Sequence, residues 1–242
     1  MRPLVSPLPS ALPPVCPVMV AVIGPPGAGK STVVSGLAEV DGTVVFRLRE
    51  AVRAYPDVVG AIRSNPDPLA WIDGESVLRV LVEAFIVGRF PTGSGPVLLD
   101  NFPGTAPQLE LLIEVAAAVG RRVALLELRA GASVVTARTL LRRVCPQCGP
   151  DAHHPAVAAV GEPQRSAGCG AVLVRRDSDT PLRHRLRLAR YLDNASGILA
   201  LAQGRRIPHL AIDADRPTAL VHQTARSAVD WLTQTAMTPP IL

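Results

Sequence analysis

Short apolar runs alternate with longer segments of helical periodicity along most of this chain. The runs are VMVAVI, TVVF, PVLLD, RVALLEL and PHLAID, and a helical pattern follows each of them. Parallel strands buried on both faces read as nearly continuous apolar runs, and the helices between them cover both faces of the sheet. The pattern therefore predicts an α/β fold, with a three-layer core built on a parallel five-stranded sheet. In such folds, ligands bind at the carboxyl ends of the strands.

Two segments interrupt this alternation. Residues 47–90 contain helical patterns such as ESVLRVLVEAFIVG together with prolines that break them, which predicts a small helical insertion. Residues 144–176 contain three cysteines and little helical signal, which predicts a second insertion. Residues 1–17 are rich in proline and lack periodicity, so we interpret them as a disordered extension. The core is then expected to comprise residues 18–46, 91–143 and 177–238.

Composition narrows the classes of partner. Of the 242 residues, 48% are hydrophobic and only 3% aromatic, so the expected core is aliphatic. The formal net charge is +5, which suits an anionic ligand. Because Lys30 is the single lysine, we interpret the excess of arginine first as a compositional bias and only second as a sign of a nucleic-acid-binding surface. Prolines interrupt the long uncharged stretch near the N-terminus, so no membrane span is expected. The interpretation is a cytoplasmic monomer that binds small molecules, with no nucleic-acid or membrane partner.

A glycine-rich motif carries the strongest chemical signal. GPPGAGKST at residues 24–32 satisfies G-x-x-x-x-G-K-[ST], directly after a predicted strand and before a predicted helix. Its backbone N–H groups would face a polyphosphate, Lys30 would reach the β and γ oxygens, and Ser31 would hold Mg²⁺. The predicted nucleotide-binding residues of the motif are Gly24, Pro25, Pro26, Gly27, Ala28, Gly29, Lys30, Ser31 and Thr32.

A carboxylate at the end of another predicted strand is a candidate second ligand for Mg²⁺. Asp100 ends the strand in LLDNFPG, the position from which a carboxylate would reach the metal beside the phosphate loop. An aspartate at a strand end is also a common turn former. The presence of the phosphate loop favours the metal role.

The cysteines suggest a structural zinc site. Cys145 and Cys148 form a C-x-x-C pair, and Cys169 closes the same region, but Ser166 stands where a second pair would place its first thiolate. His153 or His154 would supply the fourth donor. The alternative is a segment held by packing and turns alone, with free thiols.

Four ordered motifs resemble the adenylate kinases and related nucleoside monophosphate kinases, in particular those with a zinc-bearing lid. GPPGAGKST matches the phosphate loop of that family. DNFPGTAPQ is similar to DGFPRTxxQ, RTLLRRVCPQCG to RxxxRRxCxxCG, and RRDSDTPLRHRLRLARY to RxDDxxETxxxRLxxY. The order and spacing hold from about Val18 to Leu232. The resemblance implies a P-loop NTPase-type core, an acceptor-binding insertion at residues 47–90 and a lid at residues 144–176.

The resemblance also implies roles for individual residues. Lys30, Ser31, Thr32 and Asp100 correspond to the phosphate and Mg²⁺ positions on the donor side. The arginines that would surround the transferring phosphoryl group are Arg138, Arg142, Arg176 and Arg187, the first two also contacting ATP and the last two the acceptor. On the acceptor side, Arg49 and Gln108 match family positions, with Asn101 beside them. A kinase working by positioned cations needs no obvious general base.

The acceptor side departs from the family pattern. Val44, Val45 and Phe46 stand where the family has Thr-Gly-Asp, and Gly104 replaces the arginine of DGFPR. Asn101 replaces the glycine beside Asp100. A charge-assisted contact is worth about 1.5 to 3 kcal/mol, so AMP is expected to be a poor substrate.

Three functions follow from this sequence. The first is an adenylate kinase-like phosphotransferase from ATP·Mg²⁺ to a nucleoside monophosphate. The second is a P-loop kinase for a non-standard nucleotide or another small acceptor, and the third is a nucleotide-binding pseudoenzyme that regulates a partner. Retention of Lys30, Asp100 and the four arginines disfavours the third, because a protein that only binds nucleotide needs fewer of them.

Overall fold

The computed structural model describes residues 17–39, 42–58, 72–93, 95–148, 156–176 and 179–237. Five parallel strands form its central sheet, as the apolar runs predict. The strands are β1 (Val18–Ile23), β2 (Val44–Phe46), β3 (Val97–Asp100), β4 (Arg122–Arg129) and β7 (His209–Asp213). Their order in the sheet is β2-β3-β1-β4-β7, so β1 has β3 and β4 as its neighbours.

Helices cover both faces of the sheet. They are α1 (Lys30–Leu37), α2 (Leu48–Ala54), α3 (Gly74–Leu81), α4 (Ala106–Ala118), α5 (Ala132–Leu141), α6 (Pro181–Gly204) and α7 (Thr218–Met237). A π-helical turn, Val82–Ile86, continues α3. Thr105 begins α4 by accepting a hydrogen bond from the Gln108 N–H at 3.3 Å, which satisfies one of the free donors of the first turn.

Alternate residues of β1 belong to two separate apolar cores. Met19 and Ala21 pack with α3, α4 and α6, whereas Val20 and Val22 pack with α1 and α7. Successive strand side chains point to opposite faces, so a strand between two helical layers must be apolar at every position. This arrangement confirms the predicted three-layer core.

The two segments predicted as insertions contain their own elements. Residues 47–90 include α2, α3 and the π-helical turn, between β2 and β3. In residues 144–176 two short antiparallel strands lie side by side, β5 (Ala158–Ala159) and β6 (Glu162–Ser166). The division into domains stays a prediction, and residues 1–16 of the proline-rich segment lie outside the described residues. Across the described chain, no helix has the length and apolar character needed to cross a membrane.

A buried carboxylate on β4 interacts with a histidine on the edge strand β7. Glu127 Oε2 lies 3.1 Å from His209 Nε2 and accepts a hydrogen bond from Arg129 Nε at 3.1 Å. The hydrogen bond with His209 and the bond and charge of Arg129 outweigh burial and hold the pKa of Glu127 below its ordinary value of 4.5. The ionised carboxylate therefore stabilises the fold at pH values above the ordinary pKa of glutamate. This stabilisation is lost as the pH falls through the lowered pKa of Glu127.

Glu127→Gln is expected to make unfolding less sensitive to acid. The wild-type free energy of unfolding should fall more steeply than that of the variant between about pH 5 and pH 3. Urea denaturation at these pH values measures the difference. Glu162→Gln, at an exposed carboxylate on β6, is the control and should follow the wild type. Parallel curves for the wild type and Glu127→Gln would contradict the assignment.

Candidate active site

The phosphate loop leaves β1 in a conformation that requires glycine. Gly24 has φ +151°, and a Cβ there would lie 2.5 Å from the carbonyl oxygen of Leu128. Gly27 has φ +92°, and its Cβ would meet Thr139 Oγ1 and Val135 O at 2.6 Å. Both positions exclude a side chain by backbone strain and by contact. The loop is therefore held against β4 and α5, and it ends where α1 begins at Lys30.

Lys30 is buried inside the loop. Its Nζ donates hydrogen bonds to the carbonyl oxygens of Gly24 at 2.6 Å and Pro25 at 2.8 Å. Burial is the main cause that lowers the pKa of Lys30 from 10.5 to about 7; the charge of Asp100 opposes this shift, and the charges of Arg187 and Arg142 add to it. A cation so poorly solvated gains much from an anionic ligand.

Asp100, at the end of β3, lines the same cavity as Lys30 and the phosphate loop. Its Oδ2 accepts a hydrogen bond from Arg47 Nε at 3.2 Å, whereas its Oδ1 is buried and makes no hydrogen bond. Ser31, in the first turn of α1, lines the same cavity. A hydroxyl and a carboxylate beside the phosphate loop are the donors that Mg²⁺ prefers, and the unsatisfied Oδ1 fits a metal or a metal-bound water.

Three arginines are arranged around Asp179, which is fully buried. Arg142 donates two hydrogen bonds to its carboxylate, from Nε to Oδ2 and from Nη2 to Oδ1, both at 2.7 Å. Arg187 Nη1 lies 3.6 Å from Oδ1 and makes no hydrogen bond. Burial and the charges of Arg142 and Arg187 lower the pKa of Arg176 to about 10. One carboxylate thus faces several guanidinium groups, which leaves positive charge for an anion.

The phosphate loop, Asp100 and the three arginines around Asp179 line one cavity of about 730 Å³ at the carboxyl ends of β1, β2 and β3, as the fold predicts. Arg138 also lies on its wall and donates from Nη1 to the carbonyl oxygen of Ala214 at 2.7 Å. Pro25 contributes its carbonyl to Lys30 rather than its side chain to the wall. The predicted site residues that line the cavity are Gly24, Pro26, Gly27, Ala28, Gly29, Lys30, Ser31, Thr32, Arg49, Asp100, Asn101, Gln108, Arg138, Arg142, Arg176 and Arg187.

The acceptor-side candidates reach the cavity in different ways. Gln108 is buried, with Oε1 accepting from the Gly104 N–H at 2.8 Å and Nε2 donating to the Ile72 carbonyl at 3.4 Å. Burial and the charge of Arg53 lower the pKa of Arg49. Asn101 is exposed and has φ +57°. Contact of the Gln108 amide with a base would require it to exchange the bonds it makes here.

Phe46 belongs to the core rather than to the cavity. Its ring is fully buried, with its centroid 4.9 Å from that of Phe85 and 5.4 Å from that of Phe90. The position where the family pattern has an aspartate is therefore occupied by an aromatic cluster.

Sequence reasoning missed several residues of the cavity wall. Arg47 carries no signal of its own in an arginine-rich chain. Arg190 and Tyr191 follow Arg187 by three and four residues, which places all three on one face of α6 and could have identified them. His222 and Arg216 also line the cavity.

The three cysteines of residues 144–176 come together as predicted. Cys169 Sγ lies 3.4 Å from Cys145 Sγ and 3.1 Å from Cys148 Sγ, and Cys148 Sγ lies 3.4 Å from Ser166 Oγ. Burial raises the pKa of Cys145, but hydrogen bonds from the Gln147 and Cys148 N–H groups and from the other thiols bring it down to about 6. Three soft ligands within 4.8 Å of one another fit zinc. The fourth ligand stays a prediction, because His153 lies outside the described residues.

Cys148→Ala is expected to abolish zinc binding and to lower the thermal stability of the protein. A structural zinc contributes its binding free energy to folding, so loss of one thiolate removes both. Metal analysis should find about one zinc per wild-type chain and far less in the variant, and a chelator should lower the melting temperature of the wild type only. Cys16→Ala, outside the described residues, is the matched control. Zinc far below one per chain in the wild type would contradict the site.

Curated adenylate kinases match this chain over most of its length. It is 30% identical to the adenylate kinase of Pelobacter propionicus over 220 residues, which cover 87% of this chain and 96% of that protein. It is 28% identical to the adenylate kinase of Haloarcula marismortui, over 87% of this chain and 96% of that protein. The adenylate kinase of Anaeromyxobacter is 29% identical, over 77% of this chain and 92% of that protein. No protein-family model matches the chain.

Proposed function

The chain belongs to the adenylate kinase family, and from this membership we propose that it transfers the γ-phosphoryl group of ATP, bound with Mg²⁺, to a nucleoside monophosphate. One observation carries the proposal: Lys30, Asp100, Arg142 and Arg187, which come from motifs far apart in the chain, line a single cavity. Such a constellation of cations around a phosphate loop suits phosphoryl transfer.

The proposed catalysis is positioning and electrostatic stabilisation. The phosphate loop and Lys30 hold the β- and γ-phosphates, while Arg138, Arg142 and Arg187 surround the charge that spreads over the phosphoryl oxygens in the transition state. Ser31 and Asp100 would hold Mg²⁺, whose charge would neutralise part of the negative charge of the phosphates. The buried Asp179 fixes the Arg142 fork in place. Fixed cations stabilise developing charge without having to reorganise during the reaction.

The second insertion is well placed to exclude water. Ala158, Pro163, Leu173 and Arg176 of residues 144–176 line the cavity, so a movement of this segment would change their distance from the phosphate loop. Closure over ATP would bring Arg176 toward the phosphates and keep water from attacking the phosphoryl group. This segment is the proposed lid, with zinc as its structural element.

Two observations favour an acceptor other than AMP as a second candidate. Phe46 lies in an aromatic cluster where the family pattern has a polar residue. Gly104 offers only its backbone N–H, which already bonds Gln108, where the pattern has an arginine. The proposed acceptor is therefore a nucleoside monophosphate or another small phosphate ester that depends less on these two contacts.

The proposed setting is the cytoplasm, and the proposed working unit is a monomer. Cys145, Cys148 and Cys169 form no disulfide, which suits a reducing compartment.

Assay of diphosphate formation tests the proposal. The full-length protein would be incubated with ATP·Mg²⁺ and AMP, dAMP, CMP, UMP or GMP, and the products separated by ion-exchange chromatography. The protein is expected to phosphorylate one of these acceptors, and its KM for AMP is expected to be higher than its KM for that acceptor. Family-like saturation by AMP would contradict the altered-acceptor candidate. Absence of transfer to all five, with ATP still bound, would contradict the kinase proposal for nucleoside monophosphates.

A further inference from the structure

Asp100, the proposed metal ligand, is already paired with a positively charged side chain, that of Arg47. Arg47 lies between β2 and α2, and its Nε donates to Asp100 Oδ2 at 3.2 Å. The Asp100 side chain is 5% exposed and that of Arg47 21%. Charges withdrawn from water in this way are screened less than pairs on the surface. Any cation that approaches Asp100 therefore meets the positive charge of Arg47.

The two oxygens of Asp100 are in different states. Oδ2 is engaged by Arg47, and Oδ1 is buried without a hydrogen bond. Buried polar atoms of native proteins nearly always have partners, and an exception on the wall of a ligand cavity points to a ligand. One oxygen is thus ready for a metal or its water, while the other is held by an arginine.

Arg47 has other partners within reach. Its Nη2 donates to Ser35 Oγ at 3.3 Å, and its Nη1 lies 3.7 Å from Glu50 Oε1. The guanidinium group can therefore give up Asp100 without becoming an unpaired buried charge, which would be costly. These two contacts would keep Arg47 paired if it left Asp100.

We propose that Arg47 is a positioning residue that competes with Mg²⁺ for Asp100. The charge of Arg47 would oppose the approach of Mg²⁺ to Asp100, and its guanidinium group would keep its contacts with Ser35 and Glu50 when Asp100 holds the metal. The inference rests on the proposed function, since that function assigns the metal to Asp100. Its consequence is a metal affinity lower than Ser31 and Asp100 alone would provide, so that this chain requires a higher concentration of Mg²⁺.

Binding of Mn²⁺ to the full-length protein with a non-hydrolysable ATP analogue tests this competition. Electron paramagnetic resonance reports free Mn²⁺ directly and does not depend on activity. Arg47→Met is expected to tighten Mn²⁺ binding about tenfold, because one repelling charge is removed. Arg47→Lys retains the charge and should stay within about twofold of the wild type. Asp100→Asn should weaken binding and abolish the effect of Arg47→Met in the double variant.

Arg79→Met is the matched control, since Arg79 is an exposed arginine of α3 paired with Glu75. It should leave Mn²⁺ binding unchanged. Arg47→Met should leave the first turn of α2 intact, because the backbone carbonyl at position 47 still accepts hydrogen bonds from the Glu50 and Ala51 N–H groups. Circular dichroism checks the fold, and Arg47→Gln serves as a second neutral variant with the same expected tightening.

Four results overturn the inference or separate it from the proposed function. Unchanged or weaker Mn²⁺ binding in the folded neutral variants overturns it, as does an Arg47 effect that persists with Asp100→Asn. A loss of affinity for the analogue without metal would instead make Arg47 a phosphate ligand and also overturns it. Tightening by Arg47→Met in a protein that transfers no phosphoryl group would support the inference and contradict the proposed function.

Discussion

Lys30→Met is expected to lower kcat for phosphoryl transfer about 10³-fold. Lys30 is the single lysine of the chain, and its Nζ sits within hydrogen-bond distance of the loop carbonyls of Gly24 and Pro25. When a triphosphate is bound, the ammonium group would exchange these carbonyls for phosphate oxygens. The methionine side chain has a similar length but no charge, so the variant loses the electrostatic stabilisation of the transition state.

The stability of the variant should change much less than its activity. Methionine loses two hydrogen bonds but also removes a charge that burial makes unfavourable, so the free energy of unfolding should stay within about 1 kcal/mol of the wild type. Steady-state kinetics with the acceptor identified by the nucleotide panel give kcat, and urea denaturation gives the stability.

Lys30→Arg separates the need for charge from the need for shape. Lys30 is only 8% exposed inside the loop, and the longer arginine side chain would present its planar guanidinium donors in a different geometry from the compact ammonium group. Activity is therefore expected to remain low in this variant. Full activity in Lys30→Met would remove Lys30 from the catalytic residues, and full activity in Lys30→Arg would show that charge alone suffices.

Much of the fold could be predicted because its signals are local. The five apolar runs correspond to the five strands, and the phosphate-loop motif lies between β1 and α1, where its glycines have the positive φ angles that the motif requires. The spacing of Cys145, Cys148 and Cys169 likewise predicts their cluster. Periodicity, glycine conformation and cysteine spacing are properties of short segments, so one sequence is enough to recognise them.

The pair of Arg47 and Asp100 could not be predicted, because it depends on the order of the strands. Arg47 follows β2 and Asp100 ends β3, and the two meet because β2 pairs with β3 in register, with Phe46 opposite Leu99. Apolar runs indicate parallel strands but not which of them are neighbours. The aromatic cluster around Phe46 could not be predicted either, because its partners Phe85 and Phe90 lie at the far end of the first insertion and are distant in sequence.

Asp179→Asn is expected to destabilise the protein by about 3 kcal/mol. Asp179 is fully buried and receives both hydrogen bonds of the Arg142 fork, with Arg187 close by. The amide keeps the size of the carboxylate but removes its charge and one acceptor oxygen. Arg142, Arg176 and Arg187 would then repel one another without a neutralising anion, and burial together with the charges of Arg142 and Arg187 already lowers the pKa of Arg176.

ATP should restore much of this loss, because triphosphate oxygens would take over the neutralising charge. The rise in the free energy of unfolding on adding ATP·Mg²⁺ is therefore expected to be larger for Asp179→Asn than for the wild type, as urea denaturation with and without nucleotide would measure. Asp213→Asn, at an exposed carboxylate paired with Arg216, should change stability by less than about 1 kcal/mol in either condition. Equal stabilisation of Asp179→Asn and the wild type by ATP would mean that the arginines around Asp179 do not face the phosphates.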